Sequence, residues 1–183
     1  MRACVATLAC VLFGAPDCRA QDIVSGPEKG GQVPGLSVFD VTGAFKEKTV
    51  DYAAERGQKP TIYLLLRSDR FDRPMNRFMK ALDQAVKKDF GDTLVVAVWL
   101  TDDLDKAKEY LPRVQTSVQY EVTALTCTKE KTGPKGWNVN EDAHLTAVVA
   151  GKGKVAATFG YNSINETDVK GVVEALKKAR EGK

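Results

Sequence analysis

The sequence predicts an α/β fold with a central mixed β-sheet flanked by helices and an N-terminal β-hairpin. Three observations carry this. Residues 61–66 (TIYLLL) and 93–100 (TLVVAVWL) are continuous apolar runs, the character of strands buried on both faces. Between them, Met75, Phe78, Met79, Leu82 and Val86 recur at helical spacing, so strand, helix and strand follow in order. Later, residues 144–150 (HLTAVVA) and 154–160 (KVAATFG) flank Gly151-Lys152-Gly153, a β-hairpin signal.

The elements can be justified in chain order. Residues 1–20 read as a signal peptide. Arg2 supplies a minimal basic start, and the apolar run at 3–14 is too short to span a bilayer. Pro16 breaks the run, and small residues at Cys18 and Ala20 suit cleavage before Gln21. The predicted location is therefore exported, periplasmic or secreted. A lipid anchor at Cys10 or Cys18 fits less well, because neither cysteine has the residues before it that such a site needs. Residues 21–35 hold four glycines and two prolines without a period and read as a flexible arm. The domain proper is read as 36–183.

Within it, residues 36–41 alternate around Phe39, Thr42-Gly43 marks a turn, and 49–52 can return as a partner strand. Residues 53–57 suit a short helical turn closed by Gly57 and Pro60. The helix after the first buried strand can be capped by Asp72, tolerates Pro74 in its first turn, and can stop at Gly91. Asp102, Asp103 and Asp105 favour a second helix start, and that helix is expected to end near Leu111, before Pro112. Residues 122–125 suit a short strand or edge segment, and the polar stretch 127–139 reads as a loop. Asn165, with Asp168 three residues on, can cap a final helix lined by Val169, Val172, Val173 and Leu176. Right-handed crossovers make the two buried strands parallel neighbours.

Composition bounds the function. The net charge is +3, and removing Arg2, Arg19 and Asp17 with the leader lowers it to +2. A near-neutral, mixed-sign surface gives no electrostatic case for nucleic acid. No second long apolar run follows the leader, so no transmembrane segment is expected after its removal. Of four cysteines, only Cys127 lies beyond the leader, and one thiol cannot form an internal disulfide.

The chain resembles the redoxin branch of the thioredoxin-like superfamily, which holds peroxiredoxin-like proteins and exported thiol–disulfide reductases. The resemblance rests on Val33-Pro34, Phe39-Asp40-Val41-Thr42-Gly43, Val50-Asp51-Tyr52 and Gly57-Gln58-Lys59-Pro60 leading into 61–66. It continues at Gly136-Trp137-Asn138-Val139 and Lys152-Gly153-Lys154-Val155. It implies a reactive cysteine at the start of the first crossover helix, where free backbone N–H groups favour a thiolate. It also implies a cis-proline before the late strand. The matching positions here are Phe71, Asp72, Arg73, Pro74 and Met75, and the stretch 141–145 around His144; they hold neither cysteine nor that proline. They read as a degenerate redox site.

The remaining candidates have two readings each. Cys127, before a lysine-rich loop (Lys129, Lys131, Lys135), is a weak catalytic candidate as a lone thiol, or a small, inert, half-buried residue. His144, the one histidine, could serve a thiol or carboxylate, or be structural. Arg67, Arg70 and Arg73 around the first helix start could bind a small anion, or be neutralised by Asp69 and Asp72. The three aspartates at 102–105 fit helix capping better than cation binding, since no EF-hand glycine or distal glutamate follows. Asn165-Glu166-Thr167 is a formal glycosylation sequon and equally a helix cap. No nucleophile elbow, phosphate loop or zinc-type spacing occurs, so no metal or cofactor is expected. The expected function is a binding or interaction module without redox chemistry. The alternatives are a thiol-dependent oxidoreductase or peroxidase using Cys127, and a small-anion binder at the first crossover helix. The expected partner is a protein or a small anion.

Overall fold

Eight strands form one sheet in a computed structural model that describes residues 22–130 and 132–182. The leader read at 1–20 lies outside the described residues. In chain order the elements are β1 (Asp22–Ile23), β2 (Ser37–Asp40), β3 (Lys48–Asp51), α1 (Tyr52–Arg56), β4 (Thr61–Arg67), α2 (Arg73–Asp89) and β5 (Leu94–Leu100). Then come α3 (Leu104–Val118), β6 (Thr123–Thr128), β7 (Leu145–Gly151), β8 (Lys154–Tyr161) and α4 (Val169–Glu181). The strand order is β1-β8-β7-β4-β5-β6-β2-β3. β4, β5 and β6 are parallel and the other pairings antiparallel, so the sheet is mixed as expected.

The crossovers β4–α2–β5 and β5–α3–β6 step the same way across the sheet. Right-handedness therefore puts α2 and α3 on one face, and α4 returns to that face. Phe78, Leu82, Leu111, Leu125, Val172 and Leu176 bury there with Leu64 and Ala97. The opposite face is closed by Tyr52 of α1 and by Trp137, which is 0 % exposed. Trp137 donates Nε1–H to the Gly35 carbonyl at 3.0 Å and meets Tyr63 edge-on at 5.1 Å.

Buried carboxylates fix two corners. Asp40, 0 % exposed, accepts from the Gly43 and Phe45 amides and from the Tyr52 hydroxyl, at 2.7–2.8 Å. Burial, then Asp40 itself, pushes the Tyr52 hydroxyl's pKa far up. Gly43 is required there: a Cβ would collide with the Tyr52 hydroxyl and lie 2.7–2.8 Å from the Asp40 carboxylate. Asp83 of α2, also 0 % exposed, accepts from the amides of Glu121 and Val122 and from the Thr123 hydroxyl. It ties α2 to the turn entering β6.

Three expectations are corrected. The arm at 21–35 does not run free over its described part. Ile23 pairs with Gly160, Gly30 and Gly31 bond to Val155, and Val33 donates to the Gly153 carbonyl. These residues strap the outer edge of β8, satisfying an edge that would otherwise be open. α3 continues past Pro112 to Val118. The missing proline N–H costs one helical bond, while Leu111 and Val114 on either side stay buried in the core. The segment read as 122–125 is an interior strand reaching Thr128, flanked by β5 and β2, so Cys127 lies in a strand and not in a loop. The expected turn at 151–153 forms with Lys152 and Gly153 both at positive φ, as a tight hairpin requires. The Asn165 cap forms too, with Asp168 completing the capping box before α4.

Candidate functional site

The C-terminal ends of β4 and β5 and the starts of α2 and α3 converge at one end of the sheet. This is where parallel α/β sheets open a crevice between strand ends and helix starts. Asp72 caps α2 by accepting from the Met75 amide at 2.9 Å, and Asp103 caps α3 by accepting from Lys106 at 3.0 Å. A cleft of about 440 Å³ lies between the two starts. Phe71, Trp99 and Tyr110 form its aromatic part, Asp69, Asp102 and Asp103 its acidic part, and Lys106 adds a cation. The Phe71 ring leans on Trp99 at 5.1 Å between centroids. An aromatic contact thus stands just before the first turn of α2.

The structure splits the three arginines. Arg67 is committed: its Nε and Nη2 donate to the two Asp69 oxygens at 3.1 and 2.9 Å, and its Nη1 donates to the Glu141 carbonyl at 2.6 Å. The hydrogen bond from Arg67 holds the Asp69 carboxyl below the usual range. Arg70 is half exposed and only approaches Asp69, at 3.9 Å. Arg73 is exposed at the first position of α2. His144 is brought to this end of the sheet, immediately before β7. Its carbonyl accepts from the Arg67 amide and its amide donates to the Tyr161 carbonyl. His144 thus lies beside Arg67 at the end of β4, and residues 71–75 follow in the chain as the entry to α2.

Cys127 is not part of the cleft surface. It is 0 % exposed and sits beside Trp99 on β5 and Phe39 on β2. Burial pushes its thiol pKa up to about 11, only partly countered by Lys108. Lys108 itself lies over the Phe39 ring, 4.2 Å from its centroid. The half-buried thiol of the sequence reading is corrected: Cys127 is fully buried within β6.

Asp103 is a cap, as expected, and Asp105 reaches only Lys108, at 3.9 Å. The Asn165 amide oxygen accepts from the Thr167 amide and hydroxyl. Among the described residues no group of three His, Cys, Asp or Glu side chains could hold a metal ion. No helix among them is long and apolar enough to cross a membrane. The cleft residues missed by sequence reasoning include Trp99, Thr101, Lys106 and Tyr110. Trp99 was findable: it lies near the end of the second parallel strand, which faces the crevice.

No protein-family model matches the sequence, and no curated protein does. Solved structures match by shape. A Chlorobium tepidum protein provisionally assigned as the thiol:disulfide interchange protein DsbE aligns over 84 % of this chain and 98 % of its own. Its identity is 15 % and its TM-score 0.60. The thiol peroxidase of Chromobacterium violaceum covers 92 % and 96 %, at 13 % identity and TM-score 0.58. Reduced Prx3 of Vibrio vulnificus covers 82 % and 96 %, at 12 % identity and TM-score 0.61. The chain has the thioredoxin-like fold seen in these redoxin proteins.

Proposed function

We propose that this chain is an exported thioredoxin-like binding or interaction module that performs no thiol exchange. The observation that carries the reading is Cys127, the one cysteine beyond the leader read at 1–20, held at 0 % exposure with its thiol pushed toward the neutral form. Thiol exchange and peroxide reduction both need an accessible thiolate. At the start of α2, positions 71–75 offer no nucleophile, and Phe71 lies against Trp99 instead. The cleft between the starts of α2 and α3 is the seat proposed for a partner group: it pairs an aromatic wall with a few polar groups, the usual make-up of a binding site. The small-anion alternative rests on Arg70 and Arg73 alone, because Arg67 is spent on Asp69 and Glu141.

The test uses purified residues 21–183, in which Cys127 is the one cysteine, in insulin-disulfide reduction with dithiothreitol and in peroxide consumption with a thiol donor. The expected result is no turnover above the uncatalysed rate. Turnover that disappears in Cys127→Ser would overturn the binding reading in favour of a lone-thiol oxidoreductase. An NMR titration with phosphate and sulfate checks the anion alternative, which fails if the amides of residues 68–76 do not move.

A further inference from the structure

α4 turns Val172 and Leu176 into the core and leaves part of β8 uncovered beside it. Gly171, Ala175 and Ala179 of α4 face Ala157 and Phe159 of β8 across a groove of about 580 Å³. Its polar lining includes Lys29, Lys152, Lys154 and Lys178 against a single carboxylate, Glu174. All four lysines are exposed. Among the described residues none of them makes an ion pair. The C-terminal end of α4 favours nearby positive charge, which accounts for Lys178 and for Lys152 next to Gly182. It does not account for Lys29 on the strap or Lys154 on β8.

Gly171 is the second observation. Glycine is the poorest helix former after proline, yet neither sterics nor backbone demands it here. A Cβ would meet nothing closer than the Phe159 ring at 3.8 Å, and its φ is not positive. The fold would accept a side chain at this position, and the glycine keeps the groove open.

The occupant's shape follows from what surrounds the groove. A strand cannot extend along β8, because the strap already bonds to Val155 at one end and to Gly160 at the other. Positions 171, 175 and 179 stand four apart on one side of α4, a row that admits the ridge of another helix. Its charge follows from the lysines. None of the α-helices among the described residues is net acidic, and α2 and α4 are both basic, so a second copy is a poor complement. We propose that the groove seats an acidic amphipathic helix of a partner protein, with its small apolar face on Gly171, Ala175 and Phe159 and its carboxylates among the lysines.

The probe is a synthetic amphipathic helix of about five turns with Glu on one face and Ala and Leu on the other. It is titrated into the labelled full-length protein and followed by amide shifts at low and high salt. Two further peptides serve as controls: its Lys-for-Glu counterpart and a polyglutamate of equal charge. The acidic helix should shift amides in 152–159 and 171–182, bind more weakly as salt rises, and outbind both controls. Affinity should fall at least tenfold in the triple variant K152E/K154E/K178E, and similarly in Gly171→Leu, which fills the groove without changing charge. The proposal is overturned if polyglutamate binds as tightly, if the groove amides stay still, or if both variants keep full affinity. Groove shifts that grow with protein concentration alone would make this a self-interface and overturn it equally. Should Gly171→Leu fail to fold, the lysine variant decides, because its three positions are exposed.

Discussion

Replacing Asp83 is the most demanding test of how this fold is held together. The carboxylate is 0 % exposed and accepts three hydrogen bonds within 3.0 Å, from the Glu121 amide, the Val122 amide and the Thr123 hydroxyl. Asp83→Ala leaves all three donors without their acceptor at the turn between α3 and β6. A donor stranded in a buried setting costs about 1–3 kcal/mol, and a bond to a charged acceptor is at the upper end. Water can reach this turn in part, so the sum should be about 3–5 kcal/mol rather than three times the maximum. Against a typical total of about 5–15 kcal/mol that is a large fraction. It corresponds to a melting temperature lower by about 6–20 °C for a domain of this size. Asp83→Asn keeps an oxygen acceptor in place and should lose roughly half as much. Urea unfolding followed by circular dichroism measures both, with an unchanged slope showing that the loss is one of stability. An Asp83→Ala protein within about 0.5 kcal/mol of the parent would refute the argument. It would mean that the turn finds other acceptors and that α2 is not anchored through this carboxylate.

Two other outcomes follow from buried groups. Cys127→Ser puts a hydroxyl into an apolar site and should cost about 1–3 kcal/mol by urea unfolding, while a loss below about 0.3 kcal/mol would contradict the dry site. In the native protein Cys127 should also resist a thiol-labelling reagent until the chain unfolds. Because its folded pKa of about 11 lies above the free-thiol value of 9.0, the neutral thiol's contribution is full below pH 9. It is then lost as pH rises from 9 through 11, by about 1.4 kcal/mol per pH unit. The stability gap between the parent and Cys127→Ala should shrink over that window, and a gap that stays constant would argue against the shift. Gly43→Ala forces a methyl group against the Tyr52 hydroxyl and the Asp40 carboxylate and should cost more than about 2 kcal/mol. If thermal unfolding of this variant matches the parent, the Asp40 corner is looser than its hydrogen bonds imply.

Local chemistry in the sequence was enough for much of the fold. Continuous apolar runs marked β4 and β5, helical spacing marked α2 and α4, and Gly151-Lys152-Gly153 between two apolar runs marked the late hairpin. These signals act within a few residues of themselves, so one sequence carries them. What failed was decided by partners distant in the chain. Pro112 did not end α3, since core packing of Leu111 and Val114 outweighed one lost hydrogen bond. The glycine-rich stretch at 22–35 was ordered by the open edge of β8, more than a hundred residues away. Asp83 could have been noticed as an acid within an otherwise apolar helix face, but its donors at 121–123 are defined only once α3 returns the chain. At the candidate site the sequence singled out positions 71–75 and the three arginines. It could not show that Arg67 would be consumed by Asp69 and Glu141, or that Cys127 would be sealed between β5 and β2. Which groups face solvent and which face each other is set by tertiary packing, because burial is a property of neighbours that the local sequence does not contain.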